Sequence, residues 1–484
     1  MWYHTPTLMS SSVRARSRVV WAARALAASI LTAGEACSTG PPRRPHVVLV
    51  VVDALRARNL GCYGYARPTS PVIDRLAREG ALFESAFSVG GNTTTAMPAI
   101  FTGHYAHVRY GDPWAPAPFG MDRFRRTPGP VGLPDSMTSL AEYLSAAGYR
   151  TAGFITNPFL KSTFRMNQGF DHYEEIFNEA GVPYGSAEQV AERALGYLRG
   201  LDWKQPTFLY LHLMDTHGPY RKPDPDFLGP GEEAQASFYA RFERWEKLRG
   251  VEAADHESDL RYMTAAYDTS IRHADRAIGQ ILQLYEDHGL TDRTLVFLTS
   301  DHGDEFLEHG GTTHKGTLFE ELIHVPLVAR VPGAGRGSRV GALVRNFDVM
   351  PTILDYVGLG ENTDRMAALS LRALVEGGPP ADERTVYASF PHVRMIRTDR
   401  FKLLRYADGR EALFDLARDP GETRNLNEAR YRDEDARRHL VSLRVLLDET
   451  VRGLEAQGAG EGPASEGAID AQTLEQLRAL GYVE

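Results

Sequence analysis

The sequence predicts an α/β fold, with a large, mostly parallel sheet sandwiched by helices and a smaller C-terminal α+β subdomain made of an antiparallel sheet and a helix. The chain has 484 residues, which is more than one small core needs. Several apolar runs are continuous and rich in β-branched residues, as in strands buried on both faces of a parallel sheet. Past about residue 385 the extended segments become shorter, which favours a small antiparallel sheet.

Residues 1–45 differ from the rest of the chain. Three arginines between positions 14 and 18 precede an apolar stretch that is too short for a comfortable membrane span. Cys37 follows a small residue, as at bacterial lipoprotein cleavage sites. We therefore expect a signal or lipoprotein-like N-terminus over 1–37 and a linker over 38–45. This predicts an extracytoplasmic protein that is secreted or anchored to a membrane through its N-terminus. The alternatives are a disordered N-terminus or a later start, at Met9.

The main domain is predicted over 46–384. Its first strand is His46–Val52, which ends at Asp53. Helical spacing with a terminal glycine indicates a helix over 71–80, and glycines followed by hydroxyl side chains indicate a turn that opens a helix over 90–103. Further strands are predicted at 150–156, 207–214 and 294–298, with helices at 139–147 and 261–286 and inserted loops at 111–133 and 221–258.

The C-terminal subdomain is predicted over 385–457. Four short extended segments precede a helix at about 431–456, which fits a helix packed on an antiparallel sheet. The segment 458–484 begins with a stretch rich in Gly, Ala and Glu, and we expect it to be a linker with a terminal helical tail.

The charge and the cysteine content exclude two classes of function. The formal net charge is −9 and no long basic run follows the N-terminus, which argues against nucleic acid as a partner. Cys37 and Cys62 suit neither a zinc ribbon nor a disulfide framework, which argues against redox chemistry.

Three predicted strands end in Asp or His residues. Asp53 follows the first, Asp215 and His217 follow the strand at 207–214, and Asp301 and His302 follow the strand at 294–298. In doubly wound sheets, ligands bind at the carboxyl ends of the strands. Asp and His are common ligands of divalent metals. We therefore expect these residues to share one metal or substrate site.

Thr93 stands at the start of a predicted helix. The unpaired backbone N–H groups and the helix dipole make this a favourable place for an anion. Beside a divalent cation, a threonine hydroxyl loses its proton more easily and becomes a nucleophile. The alternative is a helix-capping role for the threonines of this segment, which Thr94 or Thr95 would also suit.

His217, His314 and Lys315 are the non-acidic members of the expected site. Chemistry on a phosphate or sulfate ester requires cations around the non-bridging oxygens and an acid for the leaving oxygen. Lys315 suits an anion clamp, and either His217 or His314 suits the acid. We expect His212, inside a strand, to be structural. The acidic residues that follow His302 are expected to be scaffolding; these are Asp304, Glu305 and Glu308.

Seven segments together resemble the sulfatase family of the alkaline phosphatase superfamily over nearly all of the chain from residue 46 onward. They are VVLVVVDALRARNLGCYGY, TSPVIDRLAREGALFESAFS, TTTAMPAIFTG, LHLMDTHGPY, TSDHGDEFLEHG, HKGTLFEELIHVPLV and EALFDLARDPGETRNL. The resemblance implies that 46–384 is a catalytic domain with a divalent metal ion, Ca, Mg, Mn or Zn. The implied metal ligands are Asp53, Thr93, Asp301 and His302. The implied catalytic residues are Thr93 as nucleophile, with His217, His314 and Lys315.

Two departures from the family pattern bear on the reaction. Sulfatases carry a Cys or Ser that becomes formylglycine within Cys-x-Pro-x-Arg, whereas this chain has Thr93 there and Met97 at the Arg position. The paired Asp-Asp after the first strand is Asp53-Ala54. Thr with Asp-His at 301–302 is similar to the phosphodiesterase and phosphotransferase branches of the superfamily.

These features predict a metal-dependent hydrolase that cleaves a sulfate or phosphate ester through a covalent Thr93 intermediate. A phosphorus ester is favoured, because a sulfated threonine is hard to turn over. The expected substrate is a small-molecule ester or one linked to a glycan or lipid. The alternatives are a phosphoryl or phosphoethanolamine-type transferase and a non-catalytic binder of anionic glycans.

Overall fold

The computed structural model describes the molecule from residue 44 onward, with gaps. The described ranges are 44–105, 132–134, 137–178, 184–229, 238–314, 316–363, 366–380, 384–390, 392–428, 433–458 and 470–479. The expected N-terminal signal (1–37), most of the expected loop 111–133 and Lys315 lie outside them. Within these ranges, no helix has the length and apolar character needed to cross a bilayer.

The strands, in chain order, fall into a central sheet, a C-terminal sheet and two small ribbons. They are β1 (His46–Val52), β2 (Ala81–Phe83), β3 (Ala86–Phe87), β4 (Arg150–Ile155), β5 (His172–Glu175), β6 (Thr207–Leu213), β7 (Thr294–Thr299), β8 (Glu305–Phe306), β9 (Thr312–Thr313), β10 (Leu327–Arg330), β11 (Ser338–Val340), β12 (Val344–Arg345), β13 (Val386–Phe390), β14 (Val393–Arg397), β15 (Phe401–Tyr406) and β16 (Glu411–Asp415).

The α-helices range from single turns to one of 31 residues. They are α1 (Pro71–Glu79), α2 (Thr93–Thr102), α3 (Leu140–Ala146), α4 (Ala187–Arg199), α5 (Phe238–Trp245), α6 (Glu257–Asp287), α7 (Glu320–Ile323), α8 (Val349–Tyr356), α9 (Arg372–Val375), α10 (Glu434–Gly458) and α11 (Ala471–Ala479). Short 3₁₀ turns connect several of them, including Pro158–Leu160.

The central sheet has eight strands in the order β11-β2-β10-β7-β1-β6-β4-β5. The pairs that β1 makes with β6 and β7 are parallel, as are β4 with β5 and with β6 and β2 with β11. Among the described strands of this sheet, only β10 runs antiparallel to its neighbours, β7 and β2. The prediction of a large, mostly parallel sheet is confirmed.

Helices cover both faces of this sheet, and β1 shows how. Every residue of β1 is buried. Val47, Leu49 and Val51 belong to a core that also contains apolar residues of α2, α3 and α8. The alternate residues of β1 belong to a second core with residues of α1, α4 and α6. Successive side chains of a strand point to opposite faces, so one apolar run serves both cores.

The C-terminal sheet is antiparallel in the order β13-β14-β15-β16, and α10 packs against three of its strands. This confirms the expected α+β subdomain. One expectation needs correction: the stretch 221–258 is not simply an inserted loop. It contains α5, whose Trp245 is almost fully buried, and α6 begins inside it at Glu257, earlier than the predicted 261.

Candidate active site and metal centre

Four neighbouring parallel strands end at the same edge of the central sheet. In the order β7, β1, β6 and β4, they carry Asp301, Asp53, His217 and Asn157 just beyond their carboxyl ends, with His212 near the end of β6. The structure thus brings together the predicted residues Asp53, His217, Asp301 and His302, as the topology of a parallel sheet requires.

Asp53 and Asp301 are fully buried, and each has one oxygen without a hydrogen-bond partner among the described residues. Asp53 Oδ2 accepts a hydrogen bond from Asn157 Nδ2 at 2.7 Å, which leaves Oδ1 unpaired. Asp301 Oδ1 accepts from the backbone N–H groups of Ala54 and His302 at 3.2 and 2.9 Å, which leaves Oδ2 unpaired. Both unpaired oxygens face His302, whose Nε2 lies 3.7 Å from Asp53 Oδ1 and 3.5 Å from Asp301 Oδ2.

His302 is oriented by its own backbone neighbourhood. Its Nδ1 lies 2.9 Å from the carbonyl oxygen of Gly303, so Nδ1–H donates there and Nε2 is presented to the carboxylates. Burial alone lowers the pKa of His302, but the charges of Asp301 and Asp53 outweigh it and raise this pKa above its usual value.

His212, which the sequence led us to expect as a structural residue, also lies in this cluster. Its Nε2 lies 3.6 Å from Asp53 Oδ2, and neither ring nitrogen has a hydrogen-bond partner among the described residues. Burial lowers the pKa of His212 to about 4, so the ring is neutral and can act as a metal ligand. One ligand atom from each of Asp53, His212 and Asp301 lies within 4.8 Å of the others.

The two buried carboxyl groups of this cluster differ in the direction of their pKa shifts. Burial raises the pKa of Asp53 well above its usual value, and the nearby carboxylate of Asp301 adds to the effect. Burial also raises the pKa of Asp301, but His302 and His212 reverse this and lower it overall. Buried charges are stable when they are paired or bind metals. The unpaired oxygens and the imidazole nitrogens are therefore suited to a divalent metal ion, which Asp53, Asp301 and His212 would hold with His302 beside them.

Thr93 is the first residue of α2, and it is 2% exposed. Its Oγ1 lies 3.5 Å from Asp53 Oδ2 and 3.4 Å from His302 Nε2, and it accepts a 3.3 Å hydrogen bond from Asn157 Nδ2. The capping residue is Asn92, whose side chain accepts from the backbone N–H of Thr95 at 3.1 Å. A threonine cap, the alternative left open by the sequence, is therefore not what the structure shows.

His217 and His314 lie beside His302. The ring centroids of His217 and His314 are 4.8 Å apart, and those of His314 and His302 are 4.4 Å apart. His217 Nδ1 donates to the carbonyl oxygen of Gly218 at 2.7 Å. Burial and the neighbouring His314 lower the pKa of His217 to about 3.

Asp304 positions His314. The Oδ1 atom of Asp304 accepts a 2.7 Å hydrogen bond from His314 Nδ1, and Oδ2 accepts a 2.6 Å hydrogen bond from the hydroxyl of Tyr220. Burial raises the pKa of Asp304 to about 6. Lys315 lies outside the described residues, between His314 and Gly316.

Asp215, which also follows a strand, does not join the cluster. Its Oδ1 accepts hydrogen bonds from Arg221 at 2.8 and 2.6 Å, and its Oδ2 accepts from the backbone N–H of Ala187 at 2.7 Å. Glu305 and Glu308 likewise make structural contacts: Glu305 accepts from the backbone of the 309–311 turn, and Glu308 pairs with Arg56.

The sequence analysis missed two residues of this cluster: it gave no role to Asn157 and a structural role to His212. Asn157 directly follows the predicted strand 150–156, so the strand-end rule that identified Asp53 applied to it as well. His212 is the one basic residue in the strand Thr207–Leu213, TFLYLHL, and all seven residues of this strand are buried. A polar side chain in a strand that is buried on both faces needs a partner, and that was the available signal.

Comparisons with known proteins agree with this architecture. A family model described as Sulfatase matches residues 45–359, and one described as N-sulphoglucosamine sulphohydrolase, C-terminal, matches residues 308–444. An arylsulfatase of Clostridium perfringens (strain 13 / Type A) is 24% identical and covers 90% of this chain and 100% of the relative. An N-acetylglucosamine-6-O-sulfatase of Bacteroides thetaiotaomicron is 25% identical and covers 84% and 86%.

Two solved structures show the same fold. A protein in complex with its substrate D-glucosamine-2-N,6-O-disulfate has a TM-score of 0.68 at 21% identity, covering 87% of this chain and 100% of that one. The phosphonate monoester hydrolase of Agrobacterium radiobacter has a TM-score of 0.65 at 23% identity, covering 86% and 96%. Because the Sulfatase model spans well over half of the sequence, the chain belongs to the sulfatase family of ester hydrolases.

Proposed function

We propose that this protein is a metal-dependent hydrolase of phosphorus esters that works through a covalent intermediate on Thr93. The observation that carries the proposal is the position of the Thr93 hydroxyl. It is buried at the start of α2, within 3.5 Å of Asp53 and His302. No cysteine or serine occupies this position, so the formylglycine chemistry of sulfatases has no precursor here.

The choice of phosphorus over sulfur follows from how each intermediate is released. A phosphorylated threonine is hydrolysed by attack of water at phosphorus, so the Thr93 Cβ–Oγ1 bond stays intact and the enzyme is regenerated. A sulfated threonine resists the same attack. The phosphonate monoester hydrolase of similar fold supports a phosphorus substrate. The sulfatase relatives keep a sulfate ester as the second candidate, and an ester of a small molecule or glycan suits both.

We assign the metal site to Asp53, His212, Asp301 and His302, with Thr93 next to it. When bound, a divalent ion supplies Lewis-acid stabilisation for the Thr93 alkoxide and for the non-bridging oxygens of the ester. Two imidazoles with two carboxylates favour zinc over calcium or magnesium, because imidazole suits borderline metals.

The other side chains orient and transfer protons. Asn157 Nδ2 donates to both Asp53 and Thr93, which fixes the hydroxyl beside the ester. The Thr93 hydroxyl first gives up its proton to solvent. As the bond from Thr93 Oγ1 to phosphorus forms, the bond from phosphorus to the leaving oxygen breaks, and the leaving oxygen takes a proton. We assign this proton to His314, because Asp304 accepts from its Nδ1 and stabilises the imidazolium. His217, which is neutral, is assigned to accept a proton from the water that hydrolyses the intermediate.

The test uses purified protein with aryl phosphate, phosphodiester, phosphonate and sulfate substrates, before and after chelation and metal restoration. We expect turnover of one or more phosphorus esters, and a loss on the order of 10⁴-fold in Thr93→Ala. Thr94→Ala, one position further along α2 and only half-buried, is the matched control and should keep its activity. Mass spectrometry of quenched reactions should find a phosphorylated peptide containing Thr93. Full activity in Thr93→Ala, or turnover of sulfate esters alone, would contradict the proposal.

A further inference from the structure

Lys161 is a buried lysine that is held by the far C-terminal end of the chain. Its side chain is 6% exposed, and its Nζ donates to Thr473 Oγ1 at 2.7 Å and to Gln476 Oε1 at 3.3 Å, both in α11. The ammonium also lies 5.2 Å from the ring centroid of Phe177. Both hydrogen-bond acceptors are neutral, so the burial of this cation depends on their placement.

The helix that provides these acceptors is itself fixed at its start. Asp470 Oδ1 accepts from the backbone N–H of Thr473, and Asp470 Oδ2 accepts from the Thr473 hydroxyl, each at 2.7 Å. Thr473 Oγ1 therefore accepts from Lys161 and donates to Asp470. On the same face of α11, Leu477 is fully buried and belongs to the hydrophobic core that includes Leu160. A nine-residue helix is marginal in isolation, so α11 depends on this docking.

Lys161 is joined to the active site by one short turn. The 3₁₀ turn Pro158–Leu160 separates it from Asn157. Asn157 Oδ1 accepts a 2.9 Å hydrogen bond from the backbone N–H of Phe159 within this turn. That bond orients the carboxamide so that Nδ2 reaches Asp53 at 2.7 Å and Thr93 at 3.3 Å.

We propose that α11 is a positioning element for the active site: Thr473 and Gln476 hold Lys161, the turn at 158–160 is thereby fixed, and the turn aims Asn157 at Asp53 and Thr93. The residues of α11 contact neither substrate nor metal in this scheme. They act through Asn157, whose hydrogen bond leaves Asp53 Oδ1 directed at the metal position. The inference rests on the proposed function for its catalytic part, but its effect on metal binding can be measured without any substrate.

The experiment uses the full-length protein with two variants of α11. Thr473→Val with Gln476→Leu removes both acceptors of Lys161, and Leu477→Asp undocks the helix. We expect metal affinity, measured by competition with a chromophoric chelator, to fall about 10-fold in both, as when an outer partner of a metal ligand is lost. The turnover number should fall by a similar factor with KM nearly unchanged. Glu475→Ala, on the exposed face of the same helix, is the control and should match the wild type.

Thermal unfolding of the metal-free variants separates positioning from general destabilisation. If the variants unfold at a lower temperature but bind metal and turn over substrate like the wild type, α11 is only a structural brace and the proposal is wrong. If metal affinity falls while no substrate is ever turned over, the positioning of Asp53 is supported and the proposed phosphorus chemistry fails on its own. Wild-type metal affinity in the Thr473→Val/Gln476→Leu variant would overturn the proposal directly.

Discussion

Asp53 and Asp215 follow adjacent strands at the same edge of the sheet, yet they differ in what completes their hydrogen bonding. Asp53 Oδ2 accepts hydrogen bonds from Asn157 at 2.7 Å and from Thr93 at 3.5 Å, and the buried Oδ1 stays unpaired among the described residues. Asp215 is fully engaged by the guanidinium of Arg221 and the first backbone N–H of α4. The two aspartates are therefore alike in burial and in position. They differ in whether the protein itself supplies hydrogen-bond donors to both carboxylate oxygens. An aspartate without such a partner points to a ligand.

The largest effect is expected from a substitution that removes the carboxylate of Asp53, which carries the unpaired oxygen. Asp53→Asn replaces the carboxylate of a proposed metal ligand by a neutral amide and should lower activity by at least about 100-fold, more than the loss of an outer partner. Metal content of the purified protein should fall in parallel. The metal-free variant should be no less stable than the metal-free wild type, because burial already disfavours the charged form of the Asp53 carboxyl group and raises its pKa. Normal metal content in Asp53→Asn would exclude Asp53 as a ligand.

Asn157 is the nearer of the two side-chain donors to Asp53, at 2.7 Å against 3.5 Å for Thr93. Asn157→Ala removes the hydrogen bonds to Asp53 and Thr93 and should weaken metal binding about 10-fold. Asn157→Asp is the informative companion, because it adds a negative charge beside Asp53 and also cannot donate. Equal metal affinity in all three proteins, by chelator competition, would show that Asn157 has no role in positioning Asp53.

The reverse result is expected at Asp215. Asp215→Asn should leave metal content and turnover within about threefold of the wild type, because Asp215 lies outside the metal cluster. It should lower the free energy of unfolding by about 2 kcal/mol, since it removes a charged acceptor from Arg221. Denaturant unfolding measures the latter. A loss of metal from this variant would mean that the two aspartates are not as distinct as their contacts suggest.

Asp275 is another buried aspartate, and its effect on stability should depend on pH. Asp275 accepts from the backbone N–H groups of Val72 and Ile73, at the start of α1, and burial raises its pKa to about 7. The folded state therefore binds this proton more tightly than the unfolded chain, whose carboxyl titrates near 3.8. Its contribution to stability is present below about pH 4 and is lost as the pH rises to about 7. Asp275→Asn should flatten that part of the stability curve, and an unchanged slope would contradict this assignment.

The fold class and some residues of the site could be predicted from the sequence. The β1 run could only be a strand buried on both faces, and the ends of β1 and β7 located Asp53, Asp301 and His302. Asp215 fits the same rule but lies outside the cluster. The sequence could not show this, because the fold is what brings Arg221 and the start of α4 to its carboxylate. The same rule missed His212, because His212 lies within a strand and not at its end. The pairing of β6 with β1 is what brings it beside Asp53.

Asp53 directly follows β1, so its position depends on the stability of that strand. Asp53 and Asp301, at the ends of β1 and β7, form what we call the floor of the site. Strand β1 contributes side chains to both hydrophobic cores and pairs with β6 and β7. We therefore expect β1 to separate from these neighbours only when both cores are disrupted. The backbone amides of β1 should accordingly exchange with solvent only through global unfolding. The spacing between Asp53 and Asp301 then persists for the lifetime of the folded state, and any adjustment to a substrate takes place above this floor.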